Sequence, residues 1–272
     1  MIADLKRESG EIIITVTVPA HKVRETFTQI KEEALKGVKV SGFRPGKAPA
    51  ALAEKSLNEE TLAEALFREL VPPAYSQAVS KEGIKPIIPP RVTVKSFKKD
   101  ADLVFEARTV ERPSVELGNF KQTLKSLKGK VIYGPEGKPL KGGEKITAGQ
   151  VIEKLRESSQ VNVPHLLIDH EVQRMLSSLV DQVRGLGLTV EQYLSSQGKS
   201  SEELRKEYHK TAERNLKDEF ILSEIAQVEG IKVSEKEIEE AIGAAPDEKT
   251  KLSLKEERGR AYLEDILRKR KT

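Results

Sequence analysis

The segment Gly42-Phe43-Arg44-Pro45-Gly46-Lys47-Ala48-Pro49 places one aromatic ring and two cations among two glycines and two prolines. The glycines permit backbone angles closed to other residues, while Pro45 and Pro49 fix φ and remove donors. Such a loop has a defined shape and can present Phe43, Arg44 and Lys47 outward. Guanidinium and ammonium groups bind phosphate or carboxylate, and a ring beside them fits an apolar crevice. The combination suits an anionic partner with a crevice in it, such as a ribonucleoprotein. The same composition also builds an ordinary helix–helix turn in which Phe43 tucks beneath its own loop. The octapeptide alone does not choose between them.

Catalytic chemistry has little to work with. The histidines, His21, His165, His170 and His209, are scattered along the chain. His165 and His170 are five positions apart, which sends them to different faces of a helix rather than to the i, i+4 spacing of a zinc site. They read as solvated or partly buried structural residues. Gly134 and Gly137 with Lys138 lack the spacing and the following Ser/Thr of a phosphate loop, so a plain turn is the better reading. Carboxylates such as Glu239 and Glu240 lie in charged helical runs that usually face solvent. The absence of cysteine removes disulfides, thiolate metal sites and cysteine nucleophiles. No catalytic residue, metal, cofactor or nucleotide is expected.

Composition bounds the scaffold. A chain of 272 residues accommodates two domains. Aromatic residues make up only 4%, with no tryptophan, which equips the chain poorly for a small-molecule pocket. Charged residues at 33% and hydrophobic residues at 37% suit long amphipathic helices with much exposed surface. The net charge is +4, and an excess of roughly five positive charges lies between Asn119 and Glu157. Met1 to Glu8 carries alternating charge without the apolar core of a signal peptide. No apolar run approaches the ~18 residues needed to span a bilayer. A soluble, cytoplasmic protein with no membrane partner is expected.

Periodicity supplies the elements. Glu11 to Val18 is a β-branched strand run stopped by Pro19. Val23, Phe27, Ile30 and Ala34 then recur at helical spacing as far as Gly37. Val38 to Val40 is read as extended and leads into the loop, and a helical region with Leu52 and Leu57 follows from Ala50. A longer helix from Thr61 to about Lys81 contains Pro72 and Pro73, which predict a kink or a junction. Arg91 to Phe97 and Leu103 to Val110 read as strands joined at Asp100 to Asp102. Between 118 and 146 glycine, lysine and proline cluster, as in a linker, and Lys130 to Tyr133 could pair with Lys138 to Lys141 as a small hairpin. Beyond it the pattern is helical. Thr147 with Gln150, Thr189 with Gln192, Ser200 with Glu203 and Ser234 with Glu237 match capping boxes, and Pro164 suits a helix start. Ile168, Val172, Met175, Leu179, Val183 and Leu186 form one apolar stripe, and Arg268 to Lys271 suit a helix C-terminus.

The order strand, helices, strand pair, with Gly-Phe-Arg-x-Gly-Lys-x-Pro between the helices, resembles the ribosome-binding domain of trigger factor, the bacterial chaperone of nascent chains. Glu111 to Leu117 is similar to that family's exit strand. Val161-Asn162-Val163-Pro164, Leu194 to Ser200 and Ile225 to Ser234 resemble phrases of its C-terminal domain, in the family's order. The resemblance covers about residues 1–118 and 147–272. It implies an α+β fold: a ribosome-binding-like domain at 1–117, a basic linker at 118–146, and an elongated all-α, client-cradling domain at 147–272.

It further implies that Gly42, Phe43, Arg44, Pro45, Gly46, Lys47 and Pro49 dock on protein and rRNA at the tunnel exit. Unfolded or nascent polypeptides would be the second partner, held without ATP. Leu186, Leu188, Tyr193 and Leu194 near helix ends, with Tyr262 and Leu263, are the candidate client contacts. Full-length members carry a prolyl isomerase of the FK506-binding type between the two parts. About 30 residues separate them here, too few for a domain, and the segment offers only Phe120 and Tyr133 for an aromatic pocket. A short, non-enzymatic form is expected. The alternatives are retained prolyl isomerisation and ribosome or RNA binding without chaperone activity.

Overall fold

Ile2–Glu8 (β1) and Glu11–Val18 (β2) form an antiparallel hairpin closed by Ser9 and Gly10, whose φ angles are both positive at 50° and 80°. Two left-handed residues make the tight turn whose twist matches the strands it joins, and glycine takes the second position without strain. The computed structural model describes residues 2–37, 43, 49–98, 100–127, 130–131, 144–145 and 147–272. The chain divides into two compact units, Met1–Arg112 and Pro113–Thr272.

In the first unit the hairpin is followed by Ala20–Gly37 (α1), Ala50–Lys55 (α2), Glu59–Lys81 (α3), Arg91–Ser96 (β3) and Leu103–Val110 (β4). The strands form one antiparallel sheet in the order β1-β2-β4-β3. Strict alternation in β2 buries Ile12, Ile14, Val16 and Val18, and Ala107, Phe105 and Leu103 of β4 stand opposite the last three. This face meets Val23 of α1 and Leu66, Ala74 and Ala78 of α3. Phe67 packs edge-on against Phe97, with ring centroids 5.0 Å apart. The turn between β3 and β4 also starts a helix, since Asp102 Oδ1 accepts the Ala20 N–H at 2.8 Å. The buried Thr109 hydroxyl donates to the Ile88 carbonyl.

Two sequence expectations change in this unit. β1 has no counterpart in the strand reading, because only Ala3 and Leu5 turn inward between charged neighbours. It is an edge strand, and its polar side is what an edge exposes. α3 runs as one helix through Pro72 and Pro73 rather than dividing there. Both prolines are exposed while Leu66, Ala74 and Ala78 are buried, so the missing donors lie away from the core.

The second unit contains Val115–Glu116 (β5), Phe120–Ser126 (α4), Lys130–Val131 (β6), Glu144–Lys145 (β7), Ala148–Ser158 (α5), Gln160–Val161 (β8), His165–Gly185 (α6), Val190–Gln197 (α7), Ser201–Val228 (α8), Glu235–Gly243 (α9), Glu248–Lys255 (α10) and Glu257–Lys271 (α11). All four expected capping boxes form, at Thr147, Thr189, Ser200 and Ser234. Each satisfies two orphan donors at a helix start, which explains how so polar a sequence places its helix boundaries.

The stretch read as linker is partly built in. Asn119 caps α4 by accepting the Gln122 N–H, and Phe120 is buried with Leu155, Ile221 and Ile225. Lysines at 121 and 125 masked that apolar face in the sequence. Lys130–Val131 pairs in parallel with Glu144–Lys145 rather than in the expected hairpin. A parallel pair needs a longer connection than a tight turn provides. Lys138 to Lys141 and the Gly134–Lys138 turn lie outside the described residues. The two-residue pairing of β5 with β8 also went unread.

Candidate functional site

The loop that dominated the sequence reading emerges between α1 and α2. Val23 pins α1 to the core, Phe27 and Ile30 pack against it, and Lys31 pairs with Glu54 of α2 at 3.1 Å. Pro49 is the N-cap of α2, with φ −54° and ψ 138°, and its carbonyl accepts from Leu52 and Ala53. The segment thus leaves and re-enters on anchored helix ends. Phe43 is 44% exposed. Gly42, Arg44, Pro45, Gly46 and Lys47 lie outside the described residues, as do Val38 to Val40.

Apolar exposure in the second unit is concentrated in a few places. At the α6–α7 corner Leu186 is 73% and Leu188 44% exposed, around Gly187 with φ +73°. Tyr193 is half-buried, and Leu194 is buried with Leu179, Val183 and Leu204. Leu194 is therefore removed from the candidate client contacts. It stands one turn beyond Val190, on the face that α7 presents to α6 and α8, and nothing in the sequence marked that face as covered. On α11 Tyr262 is 65% exposed and Leu263 half-buried. Leu252 of α10, Val228 at the end of α8 and Ile266 of α11 are exposed as well, and the sequence reading missed them. Their neighbours are so charged that no apolar run stands out.

α11 contains no buried residue. Leu263 and Leu267 are half-buried, and ion pairs to neighbouring helices surround them. Arg260 pairs with Glu235 and Glu239 of α9, Lys269 with Glu219 of α8 at 2.6 Å, and Lys271 with Glu237 at 2.9 Å. The Ser234 backbone N–H, then Lys271 and the Ser234 hydroxyl, pull the Glu237 carboxyl down to about 2. Deeper in the unit Arg156 makes a bidentate, half-buried pair with Asp218 at 2.7 and 2.8 Å. An open cleft of about 410 Å³ beside it is lined by Lys217 and Asn162, but Lys217 is engaged by Glu213 and Arg156 by Asp218.

His165 and His209 lie with ring centroids 5.7 Å apart. Among the described residues no three histidines or carboxylates could hold a metal ion. Among them, too, no helix is long and apolar enough to cross a membrane.

The chain thus joins an antiparallel α+β unit with Phe43 exposed to a helical unit with apolar residues left outside. Models of the bacterial trigger factor protein and of its C-terminus match residues 1–132 and 123–272, and the chain belongs to that family. The two matched regions overlap, leaving no residues between them for a further domain. Trigger factors of Staphylococcus saprophyticus and Staphylococcus aureus strain Newman are 38% identical over 116 residues, which is 43% of this chain and 27% of each relative. The aligned part thus spans about a quarter of those relatives' length. A solved structure reported as "Promiscuous Substrate Recognition in Folding and Assembly Activities of the Trigger Factor Chaperone" superposes with a TM-score of 0.63 at 16% identity, covering 100% of this chain and 98% of that one. At that identity the likeness is one of fold.

Proposed function

We propose that the chain is a ribosome-associated chaperone that holds unfolded or nascent polypeptides without ATP. The observation that carries the reading is the display of Phe43, 44% exposed, between α1, which packs on the sheet core, and α2, which pairs with α1, within a motif of two cations and two prolines. Phe43 enters an apolar crevice at the tunnel exit, and Arg44 and Lys47 meet rRNA phosphate or acidic protein groups. Gly42, Pro45, Gly46 and Pro49 set the shape of the loop.

The second unit supplies the holding surface. Leu186, Leu188 and Tyr262 give separate apolar contacts, with Leu263 and Tyr193 at their margins. Fully burying one such side chain stabilises a complex by roughly 1.5–3 kcal/mol, and ordering the client offsets much of that. Several weak contacts therefore hold a client while leaving release to its own folding. No nucleotide is needed for such a cycle. Prolyl isomerisation is outside this function, and an unaltered rate in a proline-limited refolding assay is the expected result.

Replacing Phe43, Arg44 and Pro45 by alanine tests the docking role. Ribosome co-sedimentation should fall at least tenfold, the loss of about 1.4 kcal/mol, while the circular dichroism spectrum is unchanged. Undiminished co-sedimentation of the folded variant would remove the loop from the interface. A wild-type chain that fails to protect an unfolded client would favour a ribosome-binding factor without chaperone activity.

A further inference from the structure

The cations of α11 fall into two groups. Arg260, Arg268, Lys269 and Lys271 are all engaged, with Glu235 and Glu239, Glu264, Glu219 and Asp265, and Glu237 respectively. Among the described residues Arg258 and Arg270 have no ion-pair partner, and both are exposed. Their spacing is informative. Arg258, Tyr262, Ile266 and Arg270 recur every four residues, so they share one face of the helix. Tyr262 is 65% and Ile266 40% exposed. This face is a stripe of cation, ring, aliphatic and cation, about 18 Å long at the rise of an α-helix.

The surroundings reinforce the sign. α10 repeats the pattern over nearly two turns: Leu252 is exposed between Lys249 and Lys255, each exposed and, among the described residues, without an ion-pair partner. Carboxylates on α11 do not cancel the stripe. Glu264 is taken up by Arg268 and Asp265 by Lys269, although Glu256 and Glu257 stand exposed just before Arg258. From Glu248 to Thr272 nine lysines and arginines face five carboxylates. By contrast Leu186 and Leu188 at the α6–α7 corner are separated only by Gly187 and followed by Thr189.

We propose that the Arg258–Tyr262–Ile266–Arg270 stripe binds polypeptide segments in which a short apolar core is flanked on both sides by carboxylates. The inference rests on the holding function proposed above and names the client class of this surface. An extended segment advances about 3.3 Å per residue, so acidic groups about five or six residues apart reach both arginines while the side chains between them lie on Tyr262 and Ile266. Arginine pairs with carboxylate bidentately, which orients as well as attracts the segment.

Fluorescence anisotropy with the full chain tests this. Three labelled peptides share an apolar core of leucine, phenylalanine and valine and carry two glutamates, two serines or two lysines at each end. The glutamate peptide should bind roughly five- to tenfold tighter than the serine peptide, the yield of two exposed ion pairs, with the lysine peptide weakest. Salt should narrow the gap. Arg258→Glu with Arg270→Glu should reverse the order, and the milder Arg258→Gln with Arg270→Gln should abolish it with the fold intact by circular dichroism.

Equal binding of glutamate and serine peptides, or an order unchanged in both variants, would overturn the inference while leaving the holding function in place. Failure of all three peptides to bind would overturn both. A single-stranded RNA oligonucleotide that binds tighter than the glutamate peptide and depends on the same arginines would reassign the stripe to nucleic acid. Self-association abolished by the same variants would reassign it to a second copy of the chain.

Discussion

The strand pair β2–β4 and the helix α11 use apolar residues in opposite ways. In the strands Ile14, Val16, Leu103, Phe105 and Ala107 are all fully buried, and the other face mixes Ile13, Thr15, Thr17 and Val104 with Glu106 and Arg108. In α11 Tyr262 and Ile266 point outward, while Arg260, Lys269 and Lys271 fasten the helix to its neighbours. Burial of apolar surface is what stabilises a fold, and exposed ion pairs contribute little each. The strand pair is therefore the stable platform of its unit. α11 gives up burial and keeps an apolar face available to another molecule.

Substitutions should respond accordingly. Phe105→Ala removes a ring at the centre of the first unit's core and should cost about 3–5 kcal/mol in urea denaturation. A loss under 1 kcal/mol would mean that the platform draws its stability from elsewhere. Gly118→Ala tests the entrance to the second unit. Gly118 has φ +56°, and an added Cβ would meet the Ser158 carbonyl oxygen at 2.3 Å. Both terms lie in backbone, so a loss of roughly 1–3 kcal/mol is expected in the thermal transition of this unit.

Ser200→Ala deletes one capping box and should cost about 1 kcal/mol. The comparable change on a side chain that caps nothing, Ser253→Ala, should be silent.

The smallest effect concerns Glu237. Its carboxyl is held at about 2 against an ordinary value of 4.5. A lowered acid contributes stability that is complete above its unfolded value and fades as pH falls toward its folded one. Amide protection factors, exchange normalised to the intrinsic rate at each pH, should therefore hold steady at the start of α9 and the end of α11 above about pH 4.5 and fall as pH drops toward 2, whereas Glu237→Gln should be less protected at neutral pH and lose that dependence.

How much was legible follows from where each signal lives. β2, β4 and the capping boxes are local patterns, a period of two or a pair of residues three apart, and each formed where the sequence placed it. β1, α4 and the β5–β8 pairing depend on a partner distant in the chain. Leu5 is meaningful only beside Ile14, and Phe120 only beside Leu155 and Ile221. The Gly42–Pro49 segment stood out because Gly, Pro, Phe and Arg rarely fall so close by chance of composition. The exposed surface did not. Leu194 and Leu188 look alike in sequence, yet one is buried and the other is 44% exposed, because only packing decides which face a neighbour covers. That Arg258 and Arg270 have no ion-pair partner among the described residues is likewise invisible among the basic residues of α11.

Apolar residues left exposed on the second unit are proposed to hold unfolded chains. Light scattering of a chemically unfolded client, diluted with the full chain, tests it most directly. The wild type should suppress aggregation. The variant carrying Leu186→Ser, Leu188→Ser, Tyr262→Ser and Ile266→Ser, folded by circular dichroism, should lose most of that protection. Full protection by this variant would contradict the account.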